Sequence, residues 1–209
     1  MSASLVGSEM CIRDRFLSKD FMRQAKSDLT EQIFLATDRL VAKEGLNQLS
    51  MHKLAKEANI AAGTIYLYFK NKDELLEQFA HRVFAMFMAT LEKDYDETMS
   101  FFEQYRRMWW NIWYFLKEHP TILSNLNQYQ SLPNFIEVCK KMTINSRWEL
   151  FCKKAQQAGI LAILPNHLLF LLSLKSAVII ASELKFFDVV LTEDILESII
   201  ERSWRAIQK

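Results

Sequence analysis

Residues 59–72 combine side chains that pack with side chains that bind phosphate oxygens. The stretch reads Asn-Ile-Ala-Ala-Gly-Thr-Ile-Tyr-Leu-Tyr-Phe-Lys-Asn-Lys. A short turn leads into two tyrosines, whose hydroxyls can donate to phosphate, and Lys70 and Lys72 then add positive charge. Gly63 has no Cβ, so its backbone can approach a duplex closely, and Thr64 offers a hydroxyl and a methyl group to base edges. These residue types predict a helix that lies on DNA.

Positive charge is concentrated around this stretch, although the chain as a whole is nearly neutral. The 209 residues carry a formal net charge of +1. Between positions 50 and 72, four lysines stand against one glutamate, a local net charge of +3 (four minus one). Such a concentration favours a phosphate-binding surface. Positions 62–68 hold no Arg, Asn or Gln for bidentate base contacts, so we expect sequence preference to rely on apolar contacts, His52 and DNA shape.

Helix signals on both sides of the stretch predict a helix-turn-helix unit around it. A capping-box pattern at 28–31 predicts the start of a first helix, and Gly45 predicts its end. Ser50 can cap a second helix, and Asn59 tolerates the left-handed conformation that a tight turn needs. A third helix over about 62–69 completes the predicted unit.

The rest of the chain is also predicted to be helical. Four glycines and three prolines cannot supply the turns of an all-β fold, so the fold class is all-α. Asn71 can cap the helix that follows the helix-turn-helix unit, and Thr192 can cap the last one. We expect these helices near 72–92, 99–118, 119–128, 132–158, 165–184 and 192–207, with breaks at Pro120, Pro133, Gly159, Pro165 and Phe187-Asp188.

Three segments are expected along the chain. Residues 1–21 lack periodicity and contain a stretch that resembles a translated sequencing-adapter artefact, so we expect an unstructured, non-native leader with a natural start at Met22. The alternative is a basic arm that enters a DNA minor groove, although its charges nearly cancel. Residues 22–72 are expected to form the DNA-binding domain, and residues 73–209 a larger helical domain.

Several function classes find no support in the sequence. The chain has no nucleophile–base pair, phosphate loop or spaced metal ligands, so we expect no catalytic, metal or cofactor site. Three cysteines without framework spacing predict reduced thiols in the cytoplasm. The most apolar stretch, Leu168 to Leu184, is interrupted by polar residues, so a buried helix explains it better than a membrane span.

An aromatic stripe marks the start of the larger domain. Eight of the fifteen residues at 101–115 are aromatic, and several recur at helical spacing. Such a surface fits ordinary core packing and equally fits a pocket for a large apolar or aromatic ligand. The candidate pocket residues are Phe102, Tyr105, Trp109, Trp113, Trp148 and Phe151, with Asn125, Gln128 and Arg147 as polar contacts.

From Ile33 to Leu76, the chain resembles the tetracycline-repressor (TetR) family of transcription regulators. The resemblance is carried by many residues in order and spacing, whereas the C-terminal two-thirds match only in helix number and length. The residues are Gly45-Leu46, Leu49-Ser50-Met51, Leu54-Ala55, Ala58, Ile60, Gly63-Thr64-Ile65-Tyr66, Tyr68-Phe69, Lys72 and Glu74-Leu75-Leu76.

The resemblance implies a set of DNA contacts. In the family the third helix enters the major groove, which implies base-facing positions at Ala62, Gly63 and Thr64 and groove or phosphate contacts at Tyr66, Tyr68 and Lys72. It also implies contacts at the start of the second helix. Those residues are Ser50, Met51 and His52. Two positions depart from the family, with Asn59 in place of a frequent glycine and Ala61 in place of a frequent capping serine.

The resemblance further implies how such a protein would work. It implies a cytoplasmic homodimer whose subunits pack through their last two helices and bind a palindromic operator in double-stranded DNA. An apolar small molecule would release the dimer from DNA, so the protein would act as a repressor. The alternative to a dimer interface is that the last two helices are completely buried within one subunit. The alternative function is a DNA-bound interaction protein of the same fold that senses no ligand.

Overall fold

Helices are the main secondary structure of the residues that the structure describes. The computed structural model describes residues 27–184 and 190–209. Apart from helices, turns and loops, these residues contain one isolated antiparallel bridge between Leu161 and Gln208. The all-α prediction is therefore confirmed. The expected leader at 1–21 and the break expected at Phe187-Asp188 lie outside the described residues.

Two compact units divide the chain after Lys72. Unit 1 comprises the described residues up to Lys72, and unit 2 comprises Asp73–Lys209. The elements of unit 1 are α1 over residues 27–44, a 3₁₀ turn at Leu46–Gln48, α2 at Met51–Glu57 and α3 at Ala62–Ile65.

The apolar residues of α1 recur on one face, which is buried. Ile33, Ala36, Leu40 and Val41 are all nearly inaccessible. The helix ends as predicted at Gly45, which takes a left-handed φ of 85° and donates its N–H to the Val41 carbonyl at 3.0 Å. The capping-box prediction at 28–31 is wrong, because the backbone is already helical at residue 27.

Unit 2 is built from shorter helices than the sequence predicts. The long helices expected over 132–158 and 165–184 are each divided in two. The observed helices are α4 at Lys72–Glu92, α5 at Phe101–Glu118, α6 at Pro120–Tyr129, α7 at Phe135–Thr143, α8 at Arg147–Gln157, α9 at Asn166–Leu172, α10 at Lys175–Glu183 and α11 at Glu193–Arg205.

Each of the two unexpected breaks has a local cause. Between α7 and α8, Asn145 takes a left-handed φ of 56° and Ser146 caps α8 by accepting from the Glu149 N–H at 3.3 Å. Between α9 and α10, the buried Ser173 leaves helical geometry and bonds its hydroxyl back to the Leu169 carbonyl at 2.5 Å.

The core of unit 2 lies between α5 and its neighbours. Tyr105, Met108 and Trp109 on α5 are fully buried against residues of α8, α9, α10 and α11. The other buried members are Leu91, Ile112, Trp113, Leu116, Trp148, Phe151, Cys152, Ala155, Leu161, Leu169, Leu174, Ala177, Ala181, Leu196, Ile200, Trp204 and Ile207. The aromatic stripe of the sequence is thus the centre of this core.

Candidate functional site

The start of α2 and the turn after it are held by local hydrogen bonds. Ser50 accepts from the Lys53 N–H at 3.3 Å, so the predicted cap is confirmed. Asn59 takes a left-handed φ of 53°, and the N–H of Ile60 reaches back to the Ala55 carbonyl at 2.9 Å. This six-residue closure is a Schellman ending, which turns the chain sharply towards α3.

The third helix is one turn long and begins without a side-chain cap. Ala61 precedes α3 with φ −64° and ψ 143°, and it has no side-chain oxygen to offer the first N–H groups. The sequence predicted a helix to residue 69, but α3 ends at Ile65. Beyond it, the N–H groups of Leu67 and Tyr68 bond three residues back, so the segment continues as a tighter turn.

The side chains of this segment divide between core and surface. Ile65 and Phe69 are buried, and the Phe69 ring lies 5.7 Å from that of Phe34 on α1. Tyr66 is 55 % exposed, and no atom lies within 4 Å of where a Cβ on Gly63 would stand. The packing around position 63 therefore does not require a glycine there.

The remaining predicted DNA contacts occupy different environments. Ala62, Ser50 and His52 are exposed, whereas Thr64, Tyr68 and Lys72 are half-buried. Met51 is only 7 % exposed, so its side chain packs within unit 1 and presents little surface to DNA. The contact that the resemblance implies at Met51 stays a prediction.

Two ion pairs join this surface to α1 and leave its net charge unchanged, because one outside partner is acidic and the other is basic. Lys53 Nζ lies 2.7 Å from Glu44 Oε2, and this hydrogen bond lowers the pKa of the Glu44 carboxyl. Glu57 is paired with Arg39 of α1 at 2.8 Å. Counting charges between 50 and 72 includes Lys53 and Glu57 but neither partner, because both partners lie earlier in the sequence.

A groove follows the junction of α2 and α3. Its volume is about 470 Å³, and His52 and Lys56 line it from α2 while Asn59 to Ala62 line it from the turn. Lys56 was not among the predicted contacts. Its spacing of four from His52 places both on one helical face, which is the sequence signal that could have identified it.

The predicted pocket residues of unit 2 are mostly buried, and they contact one another or other side chains of unit 2. Tyr105, Trp109 and Phe151 are fully inaccessible, Trp113 and Trp148 nearly so, and Phe102 is half-buried. Ring contacts join several of them. The contacts pair Trp109 with Trp113 at 5.8 Å, Trp148 with Phe151 at 5.5 Å, and Phe102 with Trp204 at 6.0 Å.

The polar tips of these rings bond within the protein. The Tyr105 hydroxyl and the Ser203 hydroxyl are 2.7 Å apart, and Trp109 Nε1 donates to Ser176 Oγ at 2.8 Å. Burial raises the pKa of Tyr105 well above its ordinary value. Trp148 Nε1 donates to the Asn166 carbonyl at 2.9 Å.

The three predicted polar contacts of the pocket lie on two helices. Asn125 is buried and Gln128 is half-buried on α6, whereas Arg147 lies at the start of α8. Arg147 pairs with Glu92 at 2.8 Å and with Glu97 at 3.2 Å. Its guanidinium is thus engaged with carboxylates of α4 and of the loop after α4.

A second groove of about 340 Å³ runs between α4 and α5. Met86 and Ala89 line it from α4, and Tyr114 and Phe115 from α5. Thr90, Lys93, Asn111 and Glu118 complete its lining. None of these eight residues was among the predicted pocket residues.

The last helices carry exposed apolar residues. Leu171, Leu172 and Ile179 are each about half exposed, at 48 %, 51 % and 49 %. The stretch Asn166–Glu183 resembles a membrane span by length and composition, a weak criterion, and 28 % of it is buried. The expectation of a buried helix in this region is therefore wrong for one face.

Comparison with known proteins finds similar families for the N-terminal and the C-terminal parts of the chain. The family "Bacterial regulatory proteins, tetR family" matches residues 33–79, and "Tetracyclin repressor-like, C-terminal domain" matches residues 100–208. An HTH-type transcriptional regulator from Haemophilus influenzae is 74 % identical over 188 residues, which are 90 % of this chain and 100 % of that protein.

Solved structures share the fold. The crystal structure of a TetR-family transcriptional regulator from Haemophilus influenzae matches with a TM-score of 0.85 at 74 % identity, covering 89 % of this chain and 100 % of that one. The Bacillus subtilis regulator FadR, in complex with stearoyl-CoA, matches with a TM-score of 0.66 at 23 % identity, covering 85 % and 98 %. The second likeness concerns the fold alone.

Proposed function

Because the chain belongs to the tetracycline-repressor family of DNA-binding transcription regulators, we propose that it is a repressor that binds a palindromic operator as a homodimer. One observation carries the proposal. Within a single helical turn, buried Ile65 holds α3 to unit 1 while Gly63 and Tyr66 stay accessible. A turn held in this way can enter a major groove without losing its own packing.

The proposed contacts divide by chemistry. Gly63 lets the backbone approach base edges, and Thr64 can meet a base through its hydroxyl or methyl group. Tyr66 and Tyr68 donate to phosphate, and Lys72 adds a charge at the start of α4. At the second helix, Ser50 and His52 are exposed and complete the proposed surface together with Ala62.

We propose dimerisation through the last two predicted helices, 165–184 and 192–207, which correspond to α9 with α10 and to α11. The half-exposed apolar side chains Leu171 and Leu172 on α9 and Ile179 on α10 support this proposal, because clustered exposed apolar residues mark interaction sites. A twofold dimer places its recognition helices on half-sites about 34–36 Å apart, one turn of DNA. A glutamate in place of Leu171 should then yield monomers in light scattering at micromolar concentration, whereas Ile136→Glu on α7, also exposed, should stay dimeric. A monomeric wild-type protein would refute the dimer.

An apolar effector that binds unit 2 is the proposed signal for release. The aromatic and apolar residues of unit 2 support a lipophilic class of ligand, and the ligand must favour the released state through its differential affinity. The fold neighbour FadR was solved with stearoyl-CoA, but at 23 % identity the ligand class here rests on the residues of this chain. We further propose that effector binding shifts α4, which continues from the end of unit 1 into unit 2.

The alternative is a DNA-bound interaction protein without an effector. It is favoured by the burial of Tyr105 and Trp109, whose polar atoms bond to Ser203 and Ser176 rather than facing a cavity. Gel shifts with lipophilic compounds discriminate the two functions. Release by lipophilic compounds supports sensing, release by small charged metabolites alone refutes the apolar class, and no release by any compound favours the alternative.

Selection of bound sequences from a random DNA library tests the central proposal. We expect an enriched palindrome, which can then be located upstream of candidate genes. A regulator that reads such sites acts in the cytoplasm, and we propose no catalytic activity for it. Enrichment of a site without twofold symmetry, or of no site, would contradict the proposal.

A further inference from the structure

One arginine anchors the far end of α4. Arg147 of α8 donates from Nε and Nη2 to Glu92 Oε2 at 2.9 and 2.8 Å, and from Nη1 to Glu97 Oε1 at 3.2 Å. Its guanidinium carbon lies 3.9 Å from the centroid of the Tyr95 ring. Lys154 reaches Glu97 Oε2 at 2.7 Å. We call these five residues the α4 anchor.

Helix α5 holds the same loop from another side. Three of its side chains donate to backbone carbonyls between residues 93 and 99, and the Tyr95 hydroxyl bonds to the side-chain oxygen of the buried Gln104. The three bonds run from Gln104 to Met99, from Arg107 to Asp94 and from Asn111 to Lys93. The end of α4 is therefore fixed to two helices of unit 2.

The anchor is more specific than an ordinary surface ion pair. The Arg147 side chain is only 20 % accessible, and all three guanidinium nitrogens are used on two carboxylates while its plane covers a ring. The hydrogen bond from Lys154 lowers the pKa of Glu97. Exposed ion pairs contribute little to the free energy of folding. The main effect of the planar Arg147 contact is therefore to hold Glu92 and Tyr95 in one orientation relative to α8.

The length of α4 turns a small rotation into a large displacement. Its 21 residues, at ~1.5 Å each, span about 31 Å from Lys72 to Glu92. A rotation of roughly 6° about Glu92 moves the Lys72 end by about 3.4 Å, which is one base-pair step along DNA. In the proposed dimer, the accepted half-site spacing would therefore depend on how firmly the far end of α4 is held.

We propose that Arg147 is a positioning residue for DNA recognition, which fixes the far end of α4 and so restricts the half-site spacings that the dimer accepts. The inference rests on the proposed function, a dimer on a palindrome. Arg147 then acts through Glu92 and Tyr95 and touches neither DNA nor effector, unlike the polar pocket contact that the sequence suggested.

The test uses full-length protein and the selected palindrome with its spacer changed by one or two base pairs, together with an isolated half-site duplex. Fluorescence anisotropy gives each dissociation constant. We expect wild type to lose roughly tenfold or more in affinity per altered spacing, because only a matched span engages both sites. Arg147→Gln should reduce this penalty at least threefold and leave half-site affinity unchanged, and Arg147→Lys should fall between them. Glu92→Gln removes the same contact from α4 and should behave like Arg147→Gln.

Lys140→Gln is the matched control, since it removes one positive charge and one ion pair, with Glu137, from α7 of the same unit. It should keep the wild-type spacing profile. The inference is overturned if Arg147→Gln and Glu92→Gln keep that profile, or if both lose half-site affinity as well. A wild-type protein without any spacing preference would instead contradict the proposed function itself.

Discussion

Restoring a side-chain cap at position 61 should stabilise the proposed recognition helix. Ala61 has φ −64° and ψ 143°, close to Ser100, which has φ −57° and ψ 153° and caps α5 by accepting from the Glu103 N–H at 3.2 Å. The backbone at 61 is thus already arranged for a cap, and the position is exposed, so a hydroxyl adds no clash. Ala61→Ser should stabilise α3 by about 1 kcal/mol, within the usual range of about 0.5–2 kcal/mol.

Amide hydrogen exchange is the decisive assay, because it reports opening of α3 alone. A stabilisation of about 1 kcal/mol should slow exchange roughly fivefold. The effect should appear at the N–H groups of residues 63–69, with little change in α5. Global melting should rise by only about 2–4 °C if the whole chain unfolds together. Ser100→Ala is the mirror control and should speed exchange at the start of α5 by a similar factor.

The same substitution tests whether α3 is formed before DNA binds. Apparent affinity is reduced by the fraction of molecules in which the binding conformation is populated. Ala61→Ser can therefore tighten binding to an isolated half-site by at most about fivefold, and to the two half-sites of an operator by at most about thirtyfold, and only if α3 is largely open in the free protein. Unchanged exchange at residues 63–69 in the Ala61→Ser variant would refute the reasoning that a missing cap leaves α3 weakly ordered.

Three further substitutions separate folding from DNA contact. Gly63→Ala should raise the free energy of unfolding by about 0.5–1 kcal/mol in thermal melts, because nothing obstructs the added Cβ. The same substitution should weaken operator binding in gel shifts, and an unchanged affinity would contradict a close approach of the backbone to DNA. Lys72→Gln should reduce the slope of log affinity against log salt by about 0.9 without changing the preferred sequence. Glu44→Gln removes the partner of Lys53 and should tighten binding and steepen that slope by up to about 0.9, whereas an identical slope would exclude Lys53 from the phosphate-binding surface.

Features set within three or four residues could be predicted from the sequence. The caps at Ser50 and Thr192 form as expected, since each accepts from the N–H three residues ahead. The left-handed turn at Asn59 follows from the tolerance of asparagine for that conformation. The break before α8 carried a comparable signal, a Ser146–Glu149 capping pattern after Asn145, which the apolar periodicity of 132–158 obscured.

Features that depend on distant residues could not be predicted in this way. Arg147 lies 55 residues from its partner Glu92, and only the packing of α8 beside the end of α4 brings them together. The burial of Met51 was likewise decided by packing, although its neighbours Ser50 and His52 are exposed on the same short helix.

The twofold symmetry of the proposed complex doubles the contribution of every residue in α3 to the binding free energy. A dimer presents each contact twice, so a substitution that costs about 1 kcal/mol at one half-site costs about 2 kcal/mol at the operator, close to a thirtyfold loss of affinity. A single turn of helix with few nearby charges gives only weak binding at a half-site. Useful affinity must then come from engaging both half-sites at once, which depends on a fixed span between them. In the proposed complex, the α4 anchor should therefore matter as much for operator recognition as Gly63 or Tyr66, and Arg147→Gln should cost affinity at the full operator while Gly63→Ala costs it at each half-site.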